Sequence, residues 1–177
     1  MPRTQEQTDL ANGLDLMIRK SGTDFSELAL DDFGTSYAKW YARLLSSLTL
    51  VIGDEDVPFT QVIVDGASVS VTIFTTSFVI RCLVPDTRSV TNPTVTAISR
   101  SRLRSLSVST TMPIDEASSR AVSWPGDMSL RATYEGYGDP IDVHGPTFDR
   151  YEPNNVGRIT SLFDALRDEL RPSRPVS

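Results

Sequence analysis

"TAISRSRLRSLSV" (residues 96–108) admits two interpretations that place its charges differently. The segment carries Arg100, Arg102 and Arg104 at every second position inside an apolar run. Side chains two residues apart share one face of a strand, so an unbroken strand would put these arginines among apolar side chains that should be buried. Burying an unpaired cation is costly. We therefore expect a bend at SRSR, which lets the arginines project into water.

The bend divides this segment into the end of one strand and the start of another. In this interpretation Ile98 and Leu103 point inward from separate strands, and Leu106 and Val108 continue inward after a bulge. The alternative is a continuous strand with a cationic stripe on one face that binds phosphate. In the bent form the three arginines would be solvated and could still bind an anion. They are therefore candidate anion-binding residues in both interpretations.

Short segments rich in β-branched residues, with a period of two, lie on both sides of the corner. They are FTQVIV (59–64), SVSVTIF (68–74), FVIRCLV (78–84), TVTAI (94–98), LRSLSVSTT (103–111), MSLRATYEG (128–136) and PIDVHG (140–145). Asp65-Gly66 is a favoured hairpin turn between the first two segments. Because no crossover helices separate them, the segments predict an antiparallel barrel or sandwich of seven strands.

Helices are predicted before and after the strands. Thr4 and Gln7 have the spacing of a capping box, and apolar residues at helical spacing follow it, which predicts a helix over residues 5–20. A stronger apolar stripe predicts a second helix over about residues 31–50. A single apolar face from Val156 to Leu170 predicts a C-terminal amphipathic helix.

Seven antiparallel strands followed by one amphipathic helix is the element order of the pleckstrin-homology (PH) superfold. VTIFTTSFVIRCLV (71–84) resembles the first hairpin of bacterial PH-like domains, TAISRSRLRSLSV resembles their mid-domain corner, and VGRITSLFDALRDEL (156–170) resembles their closing helix. The resemblance covers about residues 59–171. It implies an α+β fold, an antiparallel seven-stranded PH-like barrel with a C-terminal capping helix and an N-terminal helical extension.

This architecture predicts three parts of the chain. Residues 1–52 form the N-terminal extension of two helices, residues 53–171 form the PH-like barrel with its C-terminal helix, and residues 172–177 form a flexible tail. The pattern leaves open whether the N-terminal helices pack on the barrel.

The charge balance bears on the class of partner. Seventeen basic residues against 23 acidic ones give a net charge of −6, which argues against nucleic acid as a partner and against strong membrane binding. No stretch approaches the roughly 20 apolar residues of a membrane-spanning helix, and no signal peptide is evident. We expect a cytoplasmic protein.

Residues that could perform chemistry are few. Cys82 stands among apolar neighbours and is expected to be a buried, inert thiol. His144 could be oriented by Asp139 or Asp142, but no serine has the context of a catalytic nucleophile, so we expect a structural histidine. The acidic turn at residues 54–56 lacks the ligand spacing of a calcium loop. We expect no metal, no cofactor and no enzymatic activity.

Aromatic residues in the second predicted helix have two interpretations. Phe33, Tyr37, Trp40 and Tyr41 lie on its apolar stripe. They are candidate partner-binding residues, because Trp and Tyr are enriched where binding energy is concentrated. Packing against the protein's own core is favoured, because stripes at this spacing usually face a core.

The leading functional prediction is a non-catalytic PH-like interaction module that binds a protein partner. An exposed helical stripe would favour self-association, with a homodimer as its simplest form. The first alternative is a peripheral binder of anions or lipid head groups; against it, phosphoinositide-binding PH domains typically carry basic residues at the first hairpin, where this chain has FTTSF. The second alternative is a small-molecule-binding, cone-shaped α+β protein with a polar pocket around His144.

Overall fold

A computed structural model describes residues 4–21, 25–30, 36–89, 92–111, 127–145 and 155–171. The chain is α+β and divides into two compact units, Met1–Ala97 and Ile98–Ser177. Their elements, in chain order, are α1 (Gln5–Lys20), α2 (Phe25–Leu28), α3 (Lys39–Ile52), β1 (Phe59–Asp65), β2 (Ser68–Phe74), β3 (Phe78–Val84), β4 (Thr94–Ser99), β5 (Leu103–Thr110), β6 (Met128–Tyr134), β7 (Ile141–His144) and α4 (Asn155–Glu169).

Helix α1 begins where the sequence predicts. The backbone N–H of Gln7 donates to the Thr4 hydroxyl at 3.2 Å, and the Gln7 side chain accepts from the Thr4 N–H at 3.1 Å. This reciprocal pair satisfies backbone donors that have no partner within the helix. Leu14 and Ile18 are fully buried on one face of α1. The predicted helix over residues 5–20 is therefore confirmed.

The first unit packs its helices on a four-stranded antiparallel sheet in the order β1-β2-β3-β4. Within this sheet, Val62 faces Val71, and Val71 faces Cys82 on the next strand. These three side chains share one hydrophobic core with buried residues of α1 and α3. The helices of the predicted N-terminal extension thus pack on the first sheet.

The second unit contains a three-stranded antiparallel sheet, β5-β6-β7, and helix α4. Leu130 and Val143 are opposite each other on neighbouring strands and are both buried. Helix α4 contacts β5 and β6, and its Ile159, Leu162 and Leu166 are buried. The predicted C-terminal helix is confirmed, although Leu170 beyond its end is exposed.

Seven strands occur at the predicted segments, but they do not form the single barrel sheet that the resemblance implied. In the part of the chain that the structure describes, they form separate ladders of four and three strands. The helical turn at Arg100–Arg102 separates β4 from β5, and β5 pairs with β6.

The second predicted helix also needs correction at its start. Helix α3 begins at Lys39, not near residue 31, because Tyr37 forms an antiparallel bridge with Leu30 and the N–H of Ala38 donates to the carbonyl of Ala29. The predicted tail, residues 172–177, lies outside the described residues. None of the helices in the described ranges has both the length and the apolar character that crossing a membrane requires.

Candidate functional site: the arginine corner and the edge of strand β5

The corner predicted at SRSR is present. Arg100–Arg102 form one turn of 3-10 helix, and the N–H of Leu103 donates to the carbonyl of Arg100. Ile98 before the turn and Leu103 after it are both buried. The β5–β6 register then shifts between Leu103 and Ser105, which is the predicted bulge. The interpretation as one unbroken cationic strand is therefore wrong.

Arg100 differs from its two neighbours in being 7% exposed. Its guanidinium forms an ion pair with Glu169 near the end of α4. The buried Tyr134 lies in the same surroundings, and its pKa is raised by burial and by the negative charge of Glu169. The prediction that all three arginines project into water is wrong for Arg100, because a carboxylate inside the unit compensates its charge.

Arg102 and Arg104 do project into water. The Arg104 guanidinium pairs with Glu135, and it holds the pKa of that carboxyl below its usual range. The backbone N–H of Glu135 also donates to the carbonyl of Arg102 at 2.9 Å. Two of the three candidate anion-binding arginines thus have carboxylate partners from the same unit. Anion binding at this corner stays a prediction.

Strand β5, which leaves the corner, is an edge of the second sheet and, in the described residues, pairs with β6 alone. The N–H of Thr111 donates to the carbonyl of Asp127 at 3.0 Å. Hydrogen-bonded and non-hydrogen-bonded pairs alternate along an antiparallel ladder. Ser107 and Ser109 are therefore bonded to β6, whereas the backbone groups of Leu106, Val108 and Thr110 point away from it.

The side chains along this edge are small, apolar or hydroxylated. Val108 is opposite the buried Leu130 and lies on the same face of the sheet, but it is 45% exposed. Leu106 is half-buried. Val108 lies on the inward face, as predicted, but it is not buried. A residue on an edge strand has a neighbouring strand on one side only, so its other side is open to solvent.

The opposite face of the second sheet carries polar side chains around a depression of about 350 Å³. Ser107, Arg131 and Asp142 form one row across the three strands. Arg131 donates to both carboxylate oxygens of Asp142, at 2.6 and 3.0 Å, which raises the pKa of the guanidinium. In the next row, Ser129 Oγ lies 3.2 Å from His144 Nδ1.

This polar face brings a serine next to the histidine, which the sequence did not predict. The pairing of Ser129 with His144 depends on the β6–β7 register, and no local pattern encodes that register. A catalytic serine–histidine pair relies on pre-organised hydrogen-bond donors in an enclosed site, where electrostatic interactions are strong. Here His144 and Arg131 are exposed, and the carboxylate of Asp142 accepts from the guanidinium. The arrangement is an open polar surface.

The aromatic candidates of the second predicted helix differ in their surroundings. Trp40 and Tyr41 are buried, and both pack edge to face against Phe25. The ring centroids of Tyr41 and Phe25 are 5.2 Å apart. Tyr37 is 39% exposed. Phe33 lies outside the described residues. The core interpretation thus accounts for Trp40 and Tyr41, and Tyr37 stays a candidate for partner binding.

Two other candidates from the sequence, Cys82 and the acidic turn at residues 54–56, have surroundings that favour structural roles. Burial raises the pKa of Cys82 to about 12, which suits an inert thiol. Glu55 of the acidic turn accepts hydrogen bonds from the Thr75 hydroxyl and the Ser77 N–H, and so supports the β2–β3 turn. Within the described ranges, no three His, Cys, Asp or Glu side chains cluster as metal ligands would.

Comparison with known proteins finds similarity to a solved pleckstrin homology domain. No family model and no curated protein matches the chain. The pleckstrin homology domain from Shewanella amazonensis SB2B is 17% identical, with a TM-score of 0.38, over 71% of this chain and 96% of that one. It belongs to the family that the sequence pattern resembles. A TM-score of this size does not establish a shared fold, so the architecture rests on the elements described above.

Proposed function

We propose that this chain is a non-catalytic PH-like interaction module that binds an extended segment of a protein partner along strand β5. The observation that carries the proposal is the outward direction of the backbone groups of Leu106, Val108 and Thr110. Such a row of donors and acceptors is a template for an added strand, which gains affinity from main-chain hydrogen bonds.

Side chains on the same edge support this mode of binding. Strand β5 has eight residues, the longest strand in the described residues, and residues 105–110 (SLSVST) contain neither a charge nor a proline. Edges that avoid pairing usually carry charges, prolines or bulges along their length. Here the bulge and Arg104 are confined to the beginning of the strand. The exposed Val108 offers an apolar contact for alternate side chains of the added segment.

The experiment uses a peptide library displayed on phage, selected on the full chain and then tested against variants. Val108→Pro removes one outward N–H, and proline is tolerated on the outer side of an edge strand. We expect selected peptides to lose affinity by about tenfold or more, since this substitution removes a hydrogen bond and blocks close approach. The matched control, Val108→Thr, keeps the N–H and should retain most of the affinity.

Two results would contradict the proposal. One is a set of peptides that bind Val108→Pro as tightly as the original chain. The other is the absence of any selected peptide whose binding depends on residues 106–110. Unchanged thermal unfolding of both variants would show that the β5–β6 ladder is intact, so that a loss of binding reports on the edge itself.

A second candidate function is binding of a small polar molecule on the opposite face of this sheet. The observation in its favour is the depression lined by Ser129, Arg131, Asp142 and His144. Its open form argues against tight binding, because ligand sites usually enclose most of the ligand surface. The remaining alternative, binding of anions or lipid head groups, relies on Arg102 and Arg104, which lie beside Glu135.

A further inference from the structure

Helix α3 presents a second exposed surface that strand binding at β5 does not use. Lys39, Ala42, Ser46 and Leu50 recur at steps of three and four and therefore lie on one side of the helix. This side is opposite the buried face of Tyr41, Leu44 and Leu48. Leu50 is 77% exposed, the most exposed large apolar side chain in the described residues.

A shallow depression lies beside the first half of this surface. It has a volume of about 520 Å³ and is lined by Ala42, Arg43, Ser46, Ser47, Asn92 and Pro93. Small residues at Ala42 and Ser46 let another helix approach closely. The Ser46 hydroxyl donates to the carbonyl of Ala42 at 2.9 Å, so an apolar side chain can cover it without removing its hydrogen bond.

The charges at the two ends of α3 are opposite to those that stabilise a single helix. Lys39 is the first residue of the helix, near the positive end of the helix dipole. Asp54 is exposed just beyond the negative end, and no basic residue lies in the last turn. Both charges are unfavourable where they are. An antiparallel helix carrying the same charges would bring the opposite sign to each end.

The surface is complementary to itself about a point near Ser46. Leu50 and Ala42 lie four residues on either side of Ser46, and Lys39 and Asp54 lie seven and eight residues away. A two-fold axis through Ser46 would therefore place Leu50 of one chain on Ala42 of the other. It would also place Lys39 near Asp54 at both ends. Such isologous contacts are the commonest form of homodimer.

We propose that this surface pairs α3 with α3 of a second copy of the chain, antiparallel, to form a homodimer. The inference is independent of the proposed strand binding at β5. A contact centred on one helix is small, so the dimer dissociates at low concentration. The self-complementary charges select a second copy over an unrelated helix.

Sedimentation velocity of the full chain over a wide concentration range tests the pairing. We expect a monomer–dimer equilibrium, and Leu50→Asp should raise the dissociation constant by about tenfold or more. Leu16→Asp is the matched control, because Leu16 is also exposed, at 55%, but lies on α1. It should leave the dissociation constant unchanged.

Charge reversal gives the sharper test. Lys39→Asp and Asp54→Lys should each weaken the dimer, because each places two like-charged pairs in the interface. Each substitution also gives its end of α3 the charge that the helix dipole favours, so it should not destabilise the helix. Weaker association would therefore report on the interface and not on the helix itself. A mixture of the two variants should form heterodimers, in which both end pairs are again of opposite sign.

Three results would overturn the inference. They are a chain that stays monomeric at all concentrations, a dimer that Leu50→Asp does not weaken, and a mixture of the two charge variants that associates no better than either alone. None of these results depends on whether a peptide binds at β5, so the failure of one proposal leaves the other to its own test.

Discussion

Arg100 is a buried charged residue of the second unit, and its ionic partner comes from a distant part of the chain. It is buried in the turn before β5, and Glu169 on α4 supplies the opposite charge. A buried ion pair contributes little net stability, but removing one partner leaves an uncompensated charge. The pair joins the last turn of α4 to the corner.

Removing the charge of Glu169 should destabilise the second unit. We expect Glu169→Gln to lower the free energy of unfolding by about 2 kcal/mol, below the usual cost of breaking a buried pair because Glu169 is partly exposed. Urea unfolding followed by circular dichroism measures this change. Glu135→Gln, which breaks the exposed pair with Arg104, is the control and should have no measurable effect. Equal losses in both variants would contradict the role of burial.

Helices α1 and α3 are joined through one aspartate. Asp15 on α1 accepts hydrogen bonds from the hydroxyls of Tyr37 and Tyr41, each at 2.8 Å, and from Nε of Arg19 at 2.8 Å. Burial and the bond to Asp15 raise the pKa of Tyr41. The sequence predicts both helices but gives Asp15 no special role, because an aspartate on an amphipathic helix is usually on its solvated face.

Loss of this carboxylate should loosen the contact between the two helices. We expect Asp15→Ala to cost about 1–3 kcal/mol, because it leaves the buried Tyr41 hydroxyl without its acceptor. In the double variant Asp15→Ala, Tyr41→Phe, the loss should be smaller than the sum of the single losses, since the unpaired hydroxyl is gone. Denaturant unfolding measures all three variants. Asp9→Ala, on the exposed side of α1, should change little, and strict additivity would argue against the coupling.

For the whole molecule, the sequence predicts local structure better than long-range pairing. Alternation and turn residues locate the seven strands. The cost of burying three arginines predicts the corner at residues 100–102, although Arg100 itself is buried against Glu169. The division into two ladders was missed, because strand partners depend on contacts between distant segments. For the same reason the sequence predicts neither the Arg100–Glu169 pair nor the proximity of Ser129 to His144. Edge exposure of Val108 also follows from strand order, which alternation does not encode.

The charge of the molecule as a whole sets an expectation for membranes. The net charge is −6, and Arg100 and Arg104 have carboxylate partners. Anionic vesicles attract clusters of basic residues whose charge is not already compensated. We expect the chain not to float with vesicles that contain anionic phospholipid, at either low or physiological salt. Glu135→Gln removes the carboxylate beside Arg102 and Arg104, and this variant should bind weakly at low salt and lose binding as salt rises. Salt-sensitive flotation of the unmodified chain would instead favour the anion-binding alternative for the corner.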